Sequence, residues 1–191
     1  DESTVREWRD VRDIKHNGFA PLCGRVFLIM GQKNAELLTG EDSVDCEMCP
    51  MKGRAVFQGN NIQTGDGTPA HLLFQEVGAT PSSYATAKCA MGVGALKGAR
   101  TTTRDAQQAY IQSYIEAPGR PRTWVRLPKS WWPKSWFNAD GSPKYHDPVC
   151  ILMKSLYGHP ESGALWDKKM HKCMKAYWFV PLEGSPGFST I

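Results

Sequence analysis

The chain has 191 residues, 41% of them apolar, and a formal net charge of +4, a balance that excludes wholesale disorder and fits one domain, or one domain with an arm. The longest apolar run, Val26 to Met30, is too short to span a bilayer, and the start at Asp1-Glu2 carries no apolar signal region. The expectation is a soluble intracellular protein with no membrane contact, and the missing initiator Met points to a fragment.

In chain order, Thr4-Val5-Arg6-Glu7 has the form of a capping box. Val5, Trp8, Val11 and Ile14 then recur at three-residue spacing up to Gly18, which predicts an amphipathic N-terminal helical arm over 1–19. Arg25 to Met30 is β-rich and apolar and predicts a strand. Residues 39–50 are acidic and turn-rich and predict a loop. Lys52 to Gln58 predicts a second strand ended by Gly59-Asn60-Asn61, with a turn at Gly65-Asp66-Gly67. Ser82 or Ser83 can cap a helix through Ala85, Ala87, Ala90 and Met91. A strand is expected at 101–105 and helix from Ala106 to Ser113. Short strands follow at Arg122–Leu127 and Val149–Met153, separated by a Pro- and Trp-rich connection over 128–148. Pro160 to Tyr177 is the clearest helix, with Trp166, Met170, Cys173, Met174 and Tyr177 on one face. Strands and helices that mix without strict alternation predict an α+β fold.

Charge is uneven along the chain. Residues 1–50 carry six Lys/Arg against ten Asp/Glu, whereas residues 51–191 carry seventeen against nine. A basic surface attracts polyanions by counterion release, and it is also what a solvated face looks like. The six cysteines are irregularly spaced. Cys46-Glu47-Met48-Cys49 has the gap of a zinc knuckle, but no second C-x-x-C or H-x-x-x-H supplies the remaining ligands. Neither zinc nor a disulfide is expected.

Three stretches have the parts of a nucleotide-polymerising site. Lys52 and Arg54, two apart on a strand, share a face and can grip a triphosphate. Asp105, at the end of the expected strand, can serve as a metal-ligating carboxylate for phosphoryl transfer. Gln107, Gln108 and Ala109 can offer backbone N–H groups to phosphates at a helix start. Tyr110 can pack on a sugar and exclude a 2′-hydroxyl. Each has a structural alternative: Asp105 as a cap, Lys52 and Arg54 as solvated charges, Tyr110 as core, Gly158 as a turn. Trp124, Trp131, Trp132 and Trp136 can cover a core edge or stack on bases.

The order and spacing of these parts resemble the reverse transcriptase domain of copia-type LTR retrotransposon polyproteins. Lys52, Arg54, Val56 and Gly59 match the family's fingers segment. Asp105, Ala109, Tyr110 and Ile111 match its first palm motif, followed by Pro118-Gly119. Val149-Cys150, Leu156-Tyr157-Gly158 and Trp166 match the next strand, turn and helix, and Trp178-Phe179 is similar to the landmark near that helix's end. The resemblance covers roughly residue 20 to the C-terminus. It implies a partial right-hand polymerase over 20–191, made of fingers and an incomplete palm. It also implies nucleotidyl transfer from deoxynucleoside triphosphates on an RNA template and DNA primer, and Mg²⁺ held at Asp105. By the same resemblance Lys52, Arg54, Gln107, Gln108, Ala109 and Tyr110 contact the nucleotide, and Gly158 lies in the template-and-nucleotide floor. The remainder of a Pol polyprotein is an implied partner.

Departures from the family are equally definite. No Asp-Asp pair occurs in the 191 residues, so the chain is expected not to polymerise alone. His159-Pro160-Glu161 stands where the family carries a basic residue, and 41–50 resembles an insertion. The alternatives are a non-catalytic nucleic-acid-binding module and a protein-interaction domain that uses the tryptophans.

Overall fold

The computed structural model describes residues 2–35, 49–70, 74, 83–102, 105–115, 118–181 and 189–190. The architecture is α+β, with one mixed sheet of six strands and few helices. The strands are β1 (Arg6–Glu7), β2 (Leu22–Gln32), β3 (Met51–Phe57), β4 (Gln63–Thr64), β5 (Thr123–Arg126) and β6 (Pro148–Ile151). They run in the order β1-β6-β5-β2-β3, with β4 also paired to β2. Only β2 and β5 are parallel. A separate two-stranded pair joins β7 (Val180–Pro181) to β8 (Ser189–Thr190). The helices are α1 (Trp8–Val11), α2 (Tyr84–Gly94) and α3 (Ser162–Ala176). Among the described residues no helix is long and apolar enough to cross a membrane.

The first half of β2 is buried on both faces because successive side chains point to opposite sides. Leu22 and Val26 join Phe57, Ile62, Ala70 and Val125 in one core cluster. Cys23 joins Val11, Trp124 and Val149 in the other, with Trp8 and Ile151 packed against it. Burying a side chain such as Leu22 or Phe57 contributes about 1.5–3 kcal/mol, so this double-sided strand is the centre of the fold. Its outer half differs. From Phe27 to Met30 every side chain is exposed, and with Met51–Arg54 of β3 it forms a two-stranded ribbon that leaves the body of the sheet.

The N-terminal segment departs from the expected arm. Its helix is the single turn α1, and residues 6–7 are a strand instead. The reason is long-range. The Glu7 carboxylate accepts from the backbone N–H groups of His146 (2.7 Å) and Asp147 (2.9 Å), and the Trp8 N–H donates to the Asp147 carbonyl. Glu7 is therefore not closing a capping box, and β1 completes the sheet edge beside β6. Arg126 reinforces this corner. It makes a bidentate ion pair with Asp147 at 2.7 and 2.8 Å and lies over the Trp8 ring.

The strand expected at 101–105 is absent where the chain is described, since Thr101, Thr102 and Asp105 are irregular. Thr101 instead turns back on α2. Its hydroxyl donates to the Ala90 carbonyl, and it fills the space left by Gly94. Thr103 and Arg104 lie outside the described residues. The helix expected from Ala106 to Ser113 is one 3₁₀ turn, Tyr110–Gln112. The α2 start is as expected, with the Ser83 hydroxyl accepting from the Thr86 N–H. The apolar face expected for α3 is largely uncovered: Met170, Cys173 and Tyr177 are exposed, and the buried member of the helix is Ser162. Its first turn is what seats α3, through the Ser162 hydroxyl on the Leu156 carbonyl at 2.7 Å.

Candidate functional site

The ribbon presents its charges as the two-residue period requires. Arg54 lies opposite Ile29 and Lys52 opposite Gly31, so both cations share one face with Phe27 and Ile29. Both are exposed, and neither forms an ion pair with a described residue.

The root of the ribbon is a joint of three glycines. Phe57 is buried with its ring where a Cβ on Gly24 would stand, 2.2 Å from Cζ. The Phe57 N–H donates to the Tyr157 carbonyl at 2.7 Å. A Cβ on Gly59 would sit 2.0 Å from the Gly158 carbonyl oxygen, and one on Gly158 would sit 2.1 Å from that of Phe57. Gly158 also has φ +85°, a conformation that side-chain-bearing residues rarely adopt. Gly158 is therefore a tight turn locked onto the end of β3.

Tyr110 reaches the same joint. Its ring centroid is 4.7 Å from that of Tyr157, tilted by 57°. The segment after the 3₁₀ turn runs antiparallel to the one before Leu156, with the Ile115 N–H on the Met153 carbonyl and the Ser155 N–H on the Ser113 carbonyl. The structure thus brings together Tyr110, Tyr157, Gly158 and the root of the strand that carries Lys52 and Arg54. Gln107 and Gln108 are exposed and Ala109 half-buried in the turn before Tyr110, with Gln108 at φ +51°. The Gln107 carbonyl accepts from the Gln112 side chain at 2.8 Å. A single 3₁₀ turn has little cumulative dipole, so these N–H groups lack the helix start that was expected to favour a phosphate.

Asp105 stands apart. It is exposed, and no described hydrogen bond or ion pair joins it to Lys52, Arg54 or Gly158. Among the described residues no group of three or more His, Cys, Asp or Glu side chains could hold a metal ion. Asp105 is thus a single carboxylate, and Mg²⁺ requires more anchoring than one carboxylate gives. The described residues do not complete the Mg²⁺ site that the resemblance implies.

His159, beside Gly158, is a residue that spacing alone did not single out for the site. It is 4% exposed, with its ring 5.0 Å from Phe57 and 5.7 Å from Phe74. Its Nδ1 accepts from the Glu161 N–H, and Nε2 is buried without a partner. Burial first, and then the Arg120 cation, push its pKa down from 6.5 to about 4. It is a neutral ring beneath the joint.

The tryptophans between 124 and 136 are packed rather than offered, whereas Trp178 is 84% exposed. Trp124 and Trp136 are buried, Trp131 lies against the first core cluster, and Trp132 stacks on Trp136 and Phe137 while donating to the Leu127 carbonyl. Cys23 and Cys49 are buried, whereas Cys89 and Cys173 are exposed. Cys46 lies outside the described residues. No family model, curated protein or solved structure matches the chain.

Proposed function

We propose that the chain forms the fingers and first part of the palm of a right-hand polymerase similar to copia-type reverse transcriptases. In this reading Lys52 and Arg54 take phosphates, Tyr110 lies beside the sugar, Gly158 belongs to the floor, and Asp105 is the one carboxylate contributed to the metals. The observation that supports it most is the joint, because it connects three motifs that the resemblance treats as one site although they lie about fifty residues apart. The two ribbon cations lack ion-pair partners among the described residues, which leaves them open to an anion. A second reading, a non-catalytic polynucleotide-binding module, is favoured by the lone Asp105.

The test is fluorescence anisotropy with a labelled RNA–DNA hybrid. Two neutralised phosphates correspond to roughly a tenfold loss of affinity between about 50 and 200 mM salt. Lys52→Ala/Arg54→Ala should remove most of that dependence. Binding indifferent to salt and to this double variant would end both readings. The chain has no Asp-Asp pair and is expected to extend no primer with Mg²⁺ or Mn²⁺. Template-dependent extension abolished by Asp105→Asn would instead establish a complete catalytic site.

A further inference from the structure

Away from the ribbon, a groove of about 550 Å³ runs between Gln112–Tyr114 and α3. Its helical wall carries Lys168, Lys169 and Lys172, and no described lining residue is acidic. Lys168 and Lys172 are one helical turn apart, about 6 Å along the axis, so their ammonium groups form a short row on the scale of one nucleotide step. Lys169 is held by the Gln112 carbonyl and keeps two N–H donors free for a ligand. Lys154 lies over the Tyr114 ring, 5.1 Å from its centroid, which brings a fourth cation to the rim. Of the described acids nearby, the Asp167 carboxylate lies 3.3 Å from the His171 imidazole and Glu161 pairs with Arg120 at 3.0 Å.

A further feature distinguishes this groove from a solvated lysine face. Tyr114 is 61% exposed, an aromatic surface beside a row of cations.

We propose that this groove binds a single polynucleotide strand, with phosphates on Lys168, Lys169 and Lys172 and a base stacked on Tyr114. The inference rests on the nucleic-acid reading above and adds a second contact surface to it. Cations alone would accept any polyanion. The exposed ring among them selects one with flat aromatic groups between its charges, because every base offers a face to stack.

The experiment is anisotropy with a fluorescein-labelled oligothymidylate. Three phosphate contacts on a single strand predict an affinity loss of roughly twentyfold between about 50 and 200 mM salt. Lys168→Glu/Lys172→Glu should weaken binding at low salt at least about tenfold and reduce the salt effect to about threefold. Tyr114→Ala should weaken binding about tenfold with the salt dependence unchanged. Lys168→Gln/Lys172→Gln, with circular dichroism to verify folding, guards against a charge-reversed chain that fails to fold. Wild-type affinity in the groove variants overturns the inference. If Lys52→Ala/Arg54→Ala alone then abolishes binding to oligothymidylate and hybrid, the polymerase reading stands without the groove. If the groove variants abolish oligothymidylate binding while the hybrid never binds, the groove stands and the polymerase reading falls. Equal competition by polyglutamate, together with a silent Tyr114→Ala, would assign the groove to an acidic peptide and overturn the inference.

Discussion

Replacing Gly158 by Ala tests whether the joint is as tight as its geometry indicates. Two costs add. At φ +85° a Cβ brings left-handed strain of about 1–2 kcal/mol. The same Cβ would stand 2.1 Å from the Phe57 carbonyl oxygen and 2.8 Å from Val56 Cγ1. The oxygen belongs to backbone already hydrogen-bonded at the end of β3, so it cannot swing aside, and overpacking of this kind costs about 1–3 kcal/mol. The expected loss is about 4 kcal/mol, a large share of the roughly 5–15 kcal/mol that holds a domain folded. Gly141 is the internal control. It has φ +81° with nothing within 4 Å of a built Cβ, so Gly141→Ala carries the strain alone, about 1 kcal/mol. In thermal melts of a chain this size the two should differ by about 10 °C. Gly59→Ala lacks the left-handed strain but approaches the Gly158 carbonyl at 2.0 Å. Its loss should fall between the two and be non-additive with Gly158→Ala, because both push on one turn. Urea unfolding followed by tryptophan fluorescence measures all three. If Gly158→Ala lies within about 1 kcal/mol of Gly141→Ala, the turn yields freely and the joint does not fix the ribbon.

His159 should make stability depend on pH. Its pKa is about 4 folded, against 6.5 for an unperturbed histidine, so between these values the unfolded chain binds the extra proton. Stability is then fully present above about pH 6.5 and falls by up to about 3 kcal/mol as pH approaches 4. His159→Phe, which keeps the ring between Phe57 and Phe74, should flatten that part of the urea-midpoint profile; an unchanged slope would show that other groups produce it. For the cysteines, alkylation read by mass spectrometry should label exposed Cys89 and Cys173 quickly. Cys23, whose thiol burial raises to about 11, and buried Cys49 should react only on unfolding. Rapid labelling of Cys23 in the folded chain would contradict the double-sided burial of β2.

What was legible in the sequence was local. β2, β3, β5, β6, α2 and α3 follow from apolar periods, turn residues and the Ser83 cap, and all appear near their expected positions. What failed was decided by distant partners. Val5, Trp8, Val11 and Ile14 have helical spacing, but Glu7 is captured by backbone about 140 residues away, and one turn of helix is all that remains. Thr101 and Thr102 have strand propensity, yet Thr101 is held by the end of α2. Propensity contributes only tenths of a kcal/mol per residue, so such contacts override it. For the site, Lys52 and Arg54 share a face as the two-residue period demands, and Gly158 is a turn. The reciprocal fit of Gly59 and Gly158 was not legible, because it depends on two backbones meeting across about a hundred residues. A glycine matched at each position was the only signal.

The joint also determines how a ligand on the ribbon would be felt elsewhere. Beyond Ala55 the ribbon's own side chains are solvated on both faces, whereas Cys49 next to its tip is buried. At Phe57 the ring is enclosed, the N–H is bound to Tyr157, and Gly24 and Gly158 stand too close to admit side chains of their own. Among the described contacts, the ribbon is linked to Tyr110 by the Phe57–Tyr157 hydrogen bond and the Tyr157–Tyr110 ring contact, and through the sheet by the Ile115–Met153 and Ser155–Ser113 hydrogen bonds. Asp105 lies five residues before Tyr110, with no described contact back to the ribbon. Within the described residues the end of the ribbon that carries Lys52 and Arg54 is connected to the tyrosine, while the Asp105 carboxylate is connected to them only through the backbone. On the proposed polymerase reading, a nucleotide that touched all three would supply the missing connection itself. Its phosphates would fix the ribbon and its sugar would rest on Tyr110, so the order of this surface and the occupancy of the ligand would rise together.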